Sequence, residues 1–249
     1  MRISSVIITR NEEAMIGDCL ASVAWTDEII VLDSGSSDRT VEIATAHGAR
    51  VVQGGDWPGF GPQKNRAIAL ATGDWILSLD ADERVTPELR DEILAAVVAD
   101  RGMAAYEMAR LSNYCGRFMR HGGWWPDHVT RLFQRECARF SDDLVHERLV
   151  VNGRIGRLRN HLLHFAFENL EEVLDKVNRY STSGAEMAWI RGRTGTLSGA
   201  VLRGLWTFAR TYFLKAGFLD GREGFMLAVS NAEGTYYRYL KLMLRGRKK

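Results

Sequence analysis

Through the first hundred positions, short apolar runs alternate with amphipathic stretches. Ile3–Thr9, Glu28–Leu32, Ala49–Gln53 and Trp75–Leu79 are compact and rich in aliphatic side chains, the pattern of strands buried on both faces of a parallel sheet. Helical patterns separate them. Thr9-Arg10-Asn11-Glu12 has the Thr-x-x-Glu form of a capping box and predicts a helix running to about Val23. Asp38 stands where an N-cap is needed for a helix through His47, and Thr86-Pro87-Glu88 opens another over Pro87–Ala99. A loop with Gly54, Gly55, Pro58, Gly59, Gly61 and Pro62 leads into a helix from about Gln63 to Ala71. Alternating strand and helix signals of this kind predict an α/β fold built on a mostly parallel sheet flanked by helices.

Beyond Ala99 the pattern loosens. Tyr106–Ala109, Val129–Gln134 and Asn160–Ala166 read as strands around a loop rich in Gly, Trp and charge. From Glu168 onward the signals are helical. Asn169 with Glu172 forms an N-terminal signature, and Leu170, Val173, Leu174 and Val177 follow at helical spacing. Leu202, Leu205, Trp206, Ala209 and Phe213 mark a second amphipathic helix, and Phe225, Val229, Ala232, Tyr236 and Leu240 a third. The expected division is a catalytic domain over residues 1–167 and a helical extension over 168–249.

The near-neutral total of +2 conceals an asymmetry. From Ser198 onward there are ten Lys/Arg against three Asp/Glu, which leaves the remainder of the chain negative. Such a tail fits an anionic surface, membrane or nucleic acid. Three scattered cysteines without C-x-x-C spacing argue for a reducing compartment and against a disulfide framework or structural zinc site. The start runs directly into a strand pattern without a signal peptide, and no run of about 18 apolar residues is present. A cytoplasmic protein is expected, with peripheral attachment to the inner membrane face as an option left open by the basic tail.

Candidate chemistry gathers where the predicted strands end. In open α/β sheets ligands bind beyond the carboxyl ends of the strands, and four segments fall there: Thr9–Glu13, Asp33–Asp38, Gly54–Asn65 and Asp80–Glu83. Asp80 and Asp82 share a face if the chain stays extended, and two hard oxygen ligands suit Mg²⁺ or Mn²⁺ with a phosphate completing the shell. Asp33 can accept hydrogen bonds from a ribose or base, or close an Asx turn with Ser34. Gln63, Lys64 and Asn65 at a helix start can meet a diphosphate. A glycine-rich phosphate loop is absent, which weakens dinucleotide oxidoreductase and P-loop readings.

Ordered segments along nearly the whole chain carry a resemblance. They are Ile7-Ile8-Thr9-Arg10-Asn11-Glu12-Glu13, Val31-Leu32-Asp33-Ser34-Gly35-Ser36-Ser37-Asp38, Trp57-Pro58-Gly59-Phe60-Gly61-Pro62-Gln63-Lys64-Asn65 and Leu79-Asp80-Ala81-Asp82-Glu83. His121-Gly122-Gly123-Trp124-Trp125-Pro126-Asp127, Phe140-Ser141-Asp142-Asp143-Leu144-Val145-His146-Glu147 and Gly217–Phe225 continue the set. The chain resembles glycosyltransferase family 2 enzymes with a GT-A fold, and among them the bacterial lipopolysaccharide core β-1,4-glucosyltransferases. The resemblance implies inverting transfer of a hexose, glucose from UDP-glucose, to an inner-core heptose. It places Thr9, Asn11, Glu12, Asp33, Lys64, Asn65 and Asp80 at the donor, with Asp33 on the uridine and Asp80 near the ribose. Asp82 would bind the divalent ion, with His146 as a further ligand.

Inversion requires a carboxylate to take the acceptor hydroxyl's proton. Glu147, Asp127, Asp142 and Asp143 are candidates, with Glu147 preferred. Trp124 and Trp125 are candidate sugar walls, or core residues, and Arg120 with Arg117 and His121 can meet acidic groups of an inner-core acceptor. The basic tail is then expected to face an anionic membrane rather than nucleic acid. Two other classes compete. A nucleotidyltransferase would carry a glycine-rich loop after the first strand and release pyrophosphate; a catalytically dead binding module would not need Asp80, Asp82 and Glu147. A family 2 enzyme with another nucleotide sugar or acceptor is the nearest alternative.

Overall fold

The computed structural model of the protein describes residues 1–99, 101–141 and 148–246. The chain opens with β1 (Ile3–Thr9), α1 (Ile16–Val23), β2 (Glu28–Asp33), α2 (Thr40–Ala46) and β3 (Arg50–Gln53). Then come α3 (Phe60–Ala69), β4 (Trp75–Asp80), β5 (Glu83–Val85), α4 (Pro87–Ala99) and β6 (Ala105–Tyr114). The strands β7 (Arg117–Phe118), β8 (Asp127–Gln134), β9 (Ala138–Phe140), β10 (Leu149–Val151) and β11 (Ile155–Phe167) follow. Three long helices close the described chain: α5 (Leu170–Ile190), α6 (Leu197–Ala209) and α7 (Gly221–Gly246).

Two compact units result, one from Met1–Arg110 with Asp127–His164, the other from Leu111–Pro126 with Phe165–Lys249. In the first, the parallel strands run in the order β3-β2-β1-β4, with Thr9 beside Asp33 and Ile8 beside Asp80. Every residue of β1 is buried, as expected of a central strand covered on both faces. Ile7, Val31 and Leu77 pack on one face against Ile16 and Leu20 of α1 and Leu89 and Ile93 of α4. On the other face, Val6, Ile30 and Ile76 meet Ala67 and Ile68 of α3. Beyond β4 the sheet continues antiparallel through β8. This register carries the three parallel strand ends, Thr9, Asp33 and Asp80, to one edge.

The Thr9–Glu12 capping box does not form. Thr9 ends β1, Asn11 takes a left-handed φ of 55°, and α1 begins only at Ile16. A residue in that conformation cannot continue a right-handed helix. Asn11 instead ties the segment to the loop after β2, its N–H donating to Ser36 Oγ and its Oδ1 accepting from Ser37 N–H, both at 2.8 Å. Two other caps, Thr86 and Asn169, stand where the sequence put them, whereas Asp38 falls one residue before the α2 N-cap, Arg39. Asp38 accepts from Thr40 N–H at 3.0 Å, Thr86 Oγ1 from Leu89 N–H at 3.2 Å, and Asn169 Oδ1 from Glu172 N–H at 2.9 Å.

In the second unit, α6 and α5 each pack on α7, and Tyr114, Met119, Phe167, Val173 and Leu227 make a small core. No helix among the described residues is long and apolar enough to cross a membrane.

Candidate active site

The edge formed by the ends of β1, β2 and β4 gathers Thr9, Glu12, Asp33, Lys64, Asp80 and Asp82, all within the first unit. The extended chain stops at Asp80, so the two aspartates do not share a face as strand alternation predicts. They serve different partners. Asp80 Oδ1 lies 3.0 Å from Lys64 Nζ, and its Oδ2 meets Arg131 of β8. Arg131 also bonds Glu83 Oε1 at 2.7 Å, and Glu83 is fully buried. Arg110 continues the chain, 3.3 Å from Glu83 Oε1 and 2.7 Å from Asp127 Oδ2. Burial alone would raise the Asp80 carboxyl, but the Arg131 guanidinium and the Lys64 ammonium outweigh it and hold it well below the usual carboxylate range. Asp80 is therefore a fixed anion that positions Lys64, itself only 5% exposed, at the mouth of the sheet.

Asp82 points elsewhere. Its Oδ2 lies 3.2 Å from His164 Nε2 on β11, while its buried Oδ1 has no hydrogen-bond partner among the described residues. Thr9 Oγ1 is in the same condition. A buried carboxylate oxygen left without a partner is costly unless something else satisfies it. Glu12 adds to the imbalance. Burial first, then the charges of Asp82, Asp38 and Asp80, push its carboxyl up to about 7. Concentrated negative charge with an open hard oxygen is the chemistry that Mg²⁺ and Mn²⁺ relieve. The residues fit such an ion, although no group of three His, Cys, Asp or Glu donors converges among the described residues. Asp82 and His164 are the residues that would hold such an ion.

Other expected donor contacts are engaged in the fold. Asp33 is buried and accepts from Gly35 N–H at 3.0 Å, Ser36 N–H at 2.9 Å and Ser36 Oγ. This is the Asx-type turn, and it leaves about one of the carboxylate's four lone-pair sites for a ligand. Asn65 turns away from the sheet edge: its amide exchanges two 2.9 Å bonds with the backbone of Phe140, anchoring β9. Asn11 is committed to the Ser36–Ser37 loop, as above. Asp127 Oδ2 accepts from Arg110 Nε and Nη2 at 3.0 and 2.7 Å. The candidate bases Glu147, Asp142 and Asp143, and the candidate ligand His146, lie outside the described residues.

In the second unit, Trp124 is half-buried and packs edge-on against Tyr114 at 5.6 Å and tilted against Phe167 at 6.1 Å, so part of its ring is committed to the core. The Arg120 guanidinium lies over the Trp125 ring at 5.6 Å. Buried Asp220 shapes this loop, accepting from Arg120 and His121 N–H at 3.0 and 2.7 Å and meeting His121 Nδ1 at 3.0 Å. Sequence reasoning missed Arg131, Arg110 and His164 at the sheet edge and, in the second unit, Asp220 beneath the Arg120–His121 loop. A signal was present for one of them: Arg131 sits inside the apolar run Val129–Phe133, where a buried cation demands buried anions.

A four-stranded parallel sheet with acids at its carboxyl edge, extended by antiparallel strands, is the GT-A fold of nucleotide-sugar transferases. The family model described as glycosyl transferase family 2 matches residues 4–151. The chain is 32% identical over 254 residues to an uncharacterized glycosyltransferase of Rickettsia typhi, spanning 97% of this chain and 86% of that protein. It is 28% identical over 258 residues to the lipopolysaccharide core biosynthesis glycosyltransferase LpsC of Rhizobium meliloti, spanning 98% and 92%. Among solved structures, glucosyl-3-phosphoglycerate synthase from Mycobacterium tuberculosis in complex with Mn²⁺, UDP and phosphoglyceric acid is 31% identical, covers 44% of this chain and 43% of that one, and has a TM-score of 0.40. The chain belongs to glycosyltransferase family 2 and is a glycosyltransferase.

Proposed function

We propose that the protein transfers glucose from UDP-glucose, with inversion and with Mg²⁺ or Mn²⁺ at Asp82, to a heptose of a lipopolysaccharide inner core. The observation that carries the donor half is the divergence of the two aspartates. Asp80 fixes a buried lysine, and Asp82 presents an open buried oxygen beside the raised Glu12. One cation held by the protein and one recruited from solution make a diphosphate site. The metal, when bound, supplies charge stabilisation as the nucleoside diphosphate leaves. Lys64 Nζ, held by Asp80, binds a phosphate oxygen; Asp82 and His164 would hold the ion; Thr9 Oγ1 and the remaining lone pair of Asp33 take the nucleoside. Similarity to LpsC over 98% of the chain supports the acceptor class.

Glu147 takes the acceptor hydroxyl's proton in this reading. The pairing of Asp127 with Arg110 supports the choice, because a carboxylate oxygen committed to a guanidinium is a poor proton acceptor. Arg120 and Trp125 are assigned to acceptor recognition on their chemistry, a guanidinium for acidic groups and an indole face for a sugar ring. Calorimetric titration of UDP with and without Mn²⁺ tests the donor site. Metal-dependent UDP binding lost in Asp82→Asn is the expected result; binding that ignores both the metal and the substitution overturns it.

A further inference from the structure

Helix α6 presents its small residues inward and its large ones outward. Ala200 and Gly204 are buried, and a Cβ on Gly204 would sit 3.3 Å from Tyr236 Cβ and 3.4 Å from the Ala232 carbonyl oxygen of α7. On the opposite side, Val201, Leu202, Leu205 and Trp206 form a stripe at helical spacing, and Leu202, Leu205 and Trp206 are each at least 60% exposed. The stripe continues past the helix: Phe213 and Leu214 are 59% and 69% exposed, and Phe218 and Leu219 about half. Amphipathic helices ordinarily turn their apolar side into the core, so this face is built for something outside the chain.

Charge decides what covers it. From Met187 to Leu219 the sequence holds no Asp or Glu and five arginines and lysines: Arg191, Arg193, Arg203, Arg210 and Lys215. Arg203, Arg210 and Lys215 interleave with the apolar stripe and are exposed. A second copy of the chain would bring the same cations against themselves, whereas an anionic lipid leaflet complements them. A tryptophan among leucines and phenylalanines, bordered by basic residues, is the composition that settles at a headgroup boundary.

We propose that the outer face of α6 and the segment through Leu219 is the surface by which the enzyme lies on an anionic bilayer, with Leu202, Leu205, Trp206, Phe213 and Leu214 entering the headgroup layer and Arg210 at the phosphates. This surface is independent of the donor and acceptor assigned above.

Flotation of the full chain with phosphatidylcholine vesicles, with and without phosphatidylglycerol, tests it. Wild type should float with the anionic vesicles and lose binding as salt is raised. Leu202→Glu with Trp206→Glu should weaken binding more than tenfold. Arg210→Glu, which leaves the apolar face untouched, should weaken it by about fivefold or more. Both sites are exposed, so unchanged thermal melting is expected and confirms folding. Binding unaffected by either variant, or no binding by wild type, overturns the proposal. So does a dimer of wild type that the double variant makes monomeric. UDP binding measured on the same variants keeps this result separate from the donor assignment.

Discussion

Replacing Glu12 with glutamine isolates the electrostatic strain at the sheet edge. Glu12 faces Asp82, Asp38 and Asp80 from a half-buried position, and its carboxyl is pushed up to about 7, first by burial and then by those charges. A folded-state value above the unfolded one means that the neutral form favours the fold. The contribution is complete below the unfolded value near 4.5 and is lost as pH rises through 7. Converted in full, the shift would amount to about 3.4 kcal/mol, and solvent screening at a half-exposed carboxylate reduces that to about 1–2 kcal/mol. Glutamine does not titrate. In chelator, the Glu12→Gln protein should therefore gain on wild type by about 1–2 kcal/mol between about pH 5 and pH 8, a relative melting shift of about 2–6 °C for a chain of this size. Other titrating groups cancel in the difference. A stability difference that stays constant with pH, or moves the other way, refutes the reasoning.

Three further outcomes follow from the geometry. Arg131→Met leaves Asp80 and fully buried Glu83 facing each other, and denaturant unfolding should show a loss of about 3–5 kcal/mol; a loss below about 1 kcal/mol would mean that the ion cluster contributes little. Trp124→Ala removes a ring packed on Tyr114 and Phe167, so it should lower stability by about 2–3 kcal/mol; unchanged unfolding with weaker acceptor binding alone would return Trp124 to the acceptor wall. Glu147→Gln should bind UDP and Mn²⁺ as wild type does and lose transfer by about two orders of magnitude or more. Retained turnover would move the base to Asp127 or Asp143.

Periodicity and strand-end logic located the sheet and its edge, because both follow from local pattern. Ile3–Thr9 and Trp75–Leu79 read as buried strands and are buried strands. What the pattern could not convey was where each side chain at the edge points. Asp80 and Asp82 stand one residue apart in sequence, yet the chain leaves the strand between them and turns one to Lys64 and Arg131 and the other to His164. Those partners come from α3, β8 and β11, up to 82 residues away in sequence, and no local spacing announces them. The capping box failed for a related reason: Asn11 satisfies the loop after β2 better than it would continue a helix. Helix α6 shows the opposite limit. Its apolar face was visible as a face, but Gly204, not the leucines, is what α7 receives.

The most direct test of the account is the product of the reaction. Purified protein, UDP-glucose, Mn²⁺ and a heptose-terminated inner-core acceptor should yield UDP and a glucoside whose anomeric configuration, read by NMR, is the opposite of the donor's. That turnover should vanish in chelator and in the Asp82→Asn protein. Release of pyrophosphate, retention of the donor's configuration, or equal turnover in wild type and Asp82→Asn would contradict it.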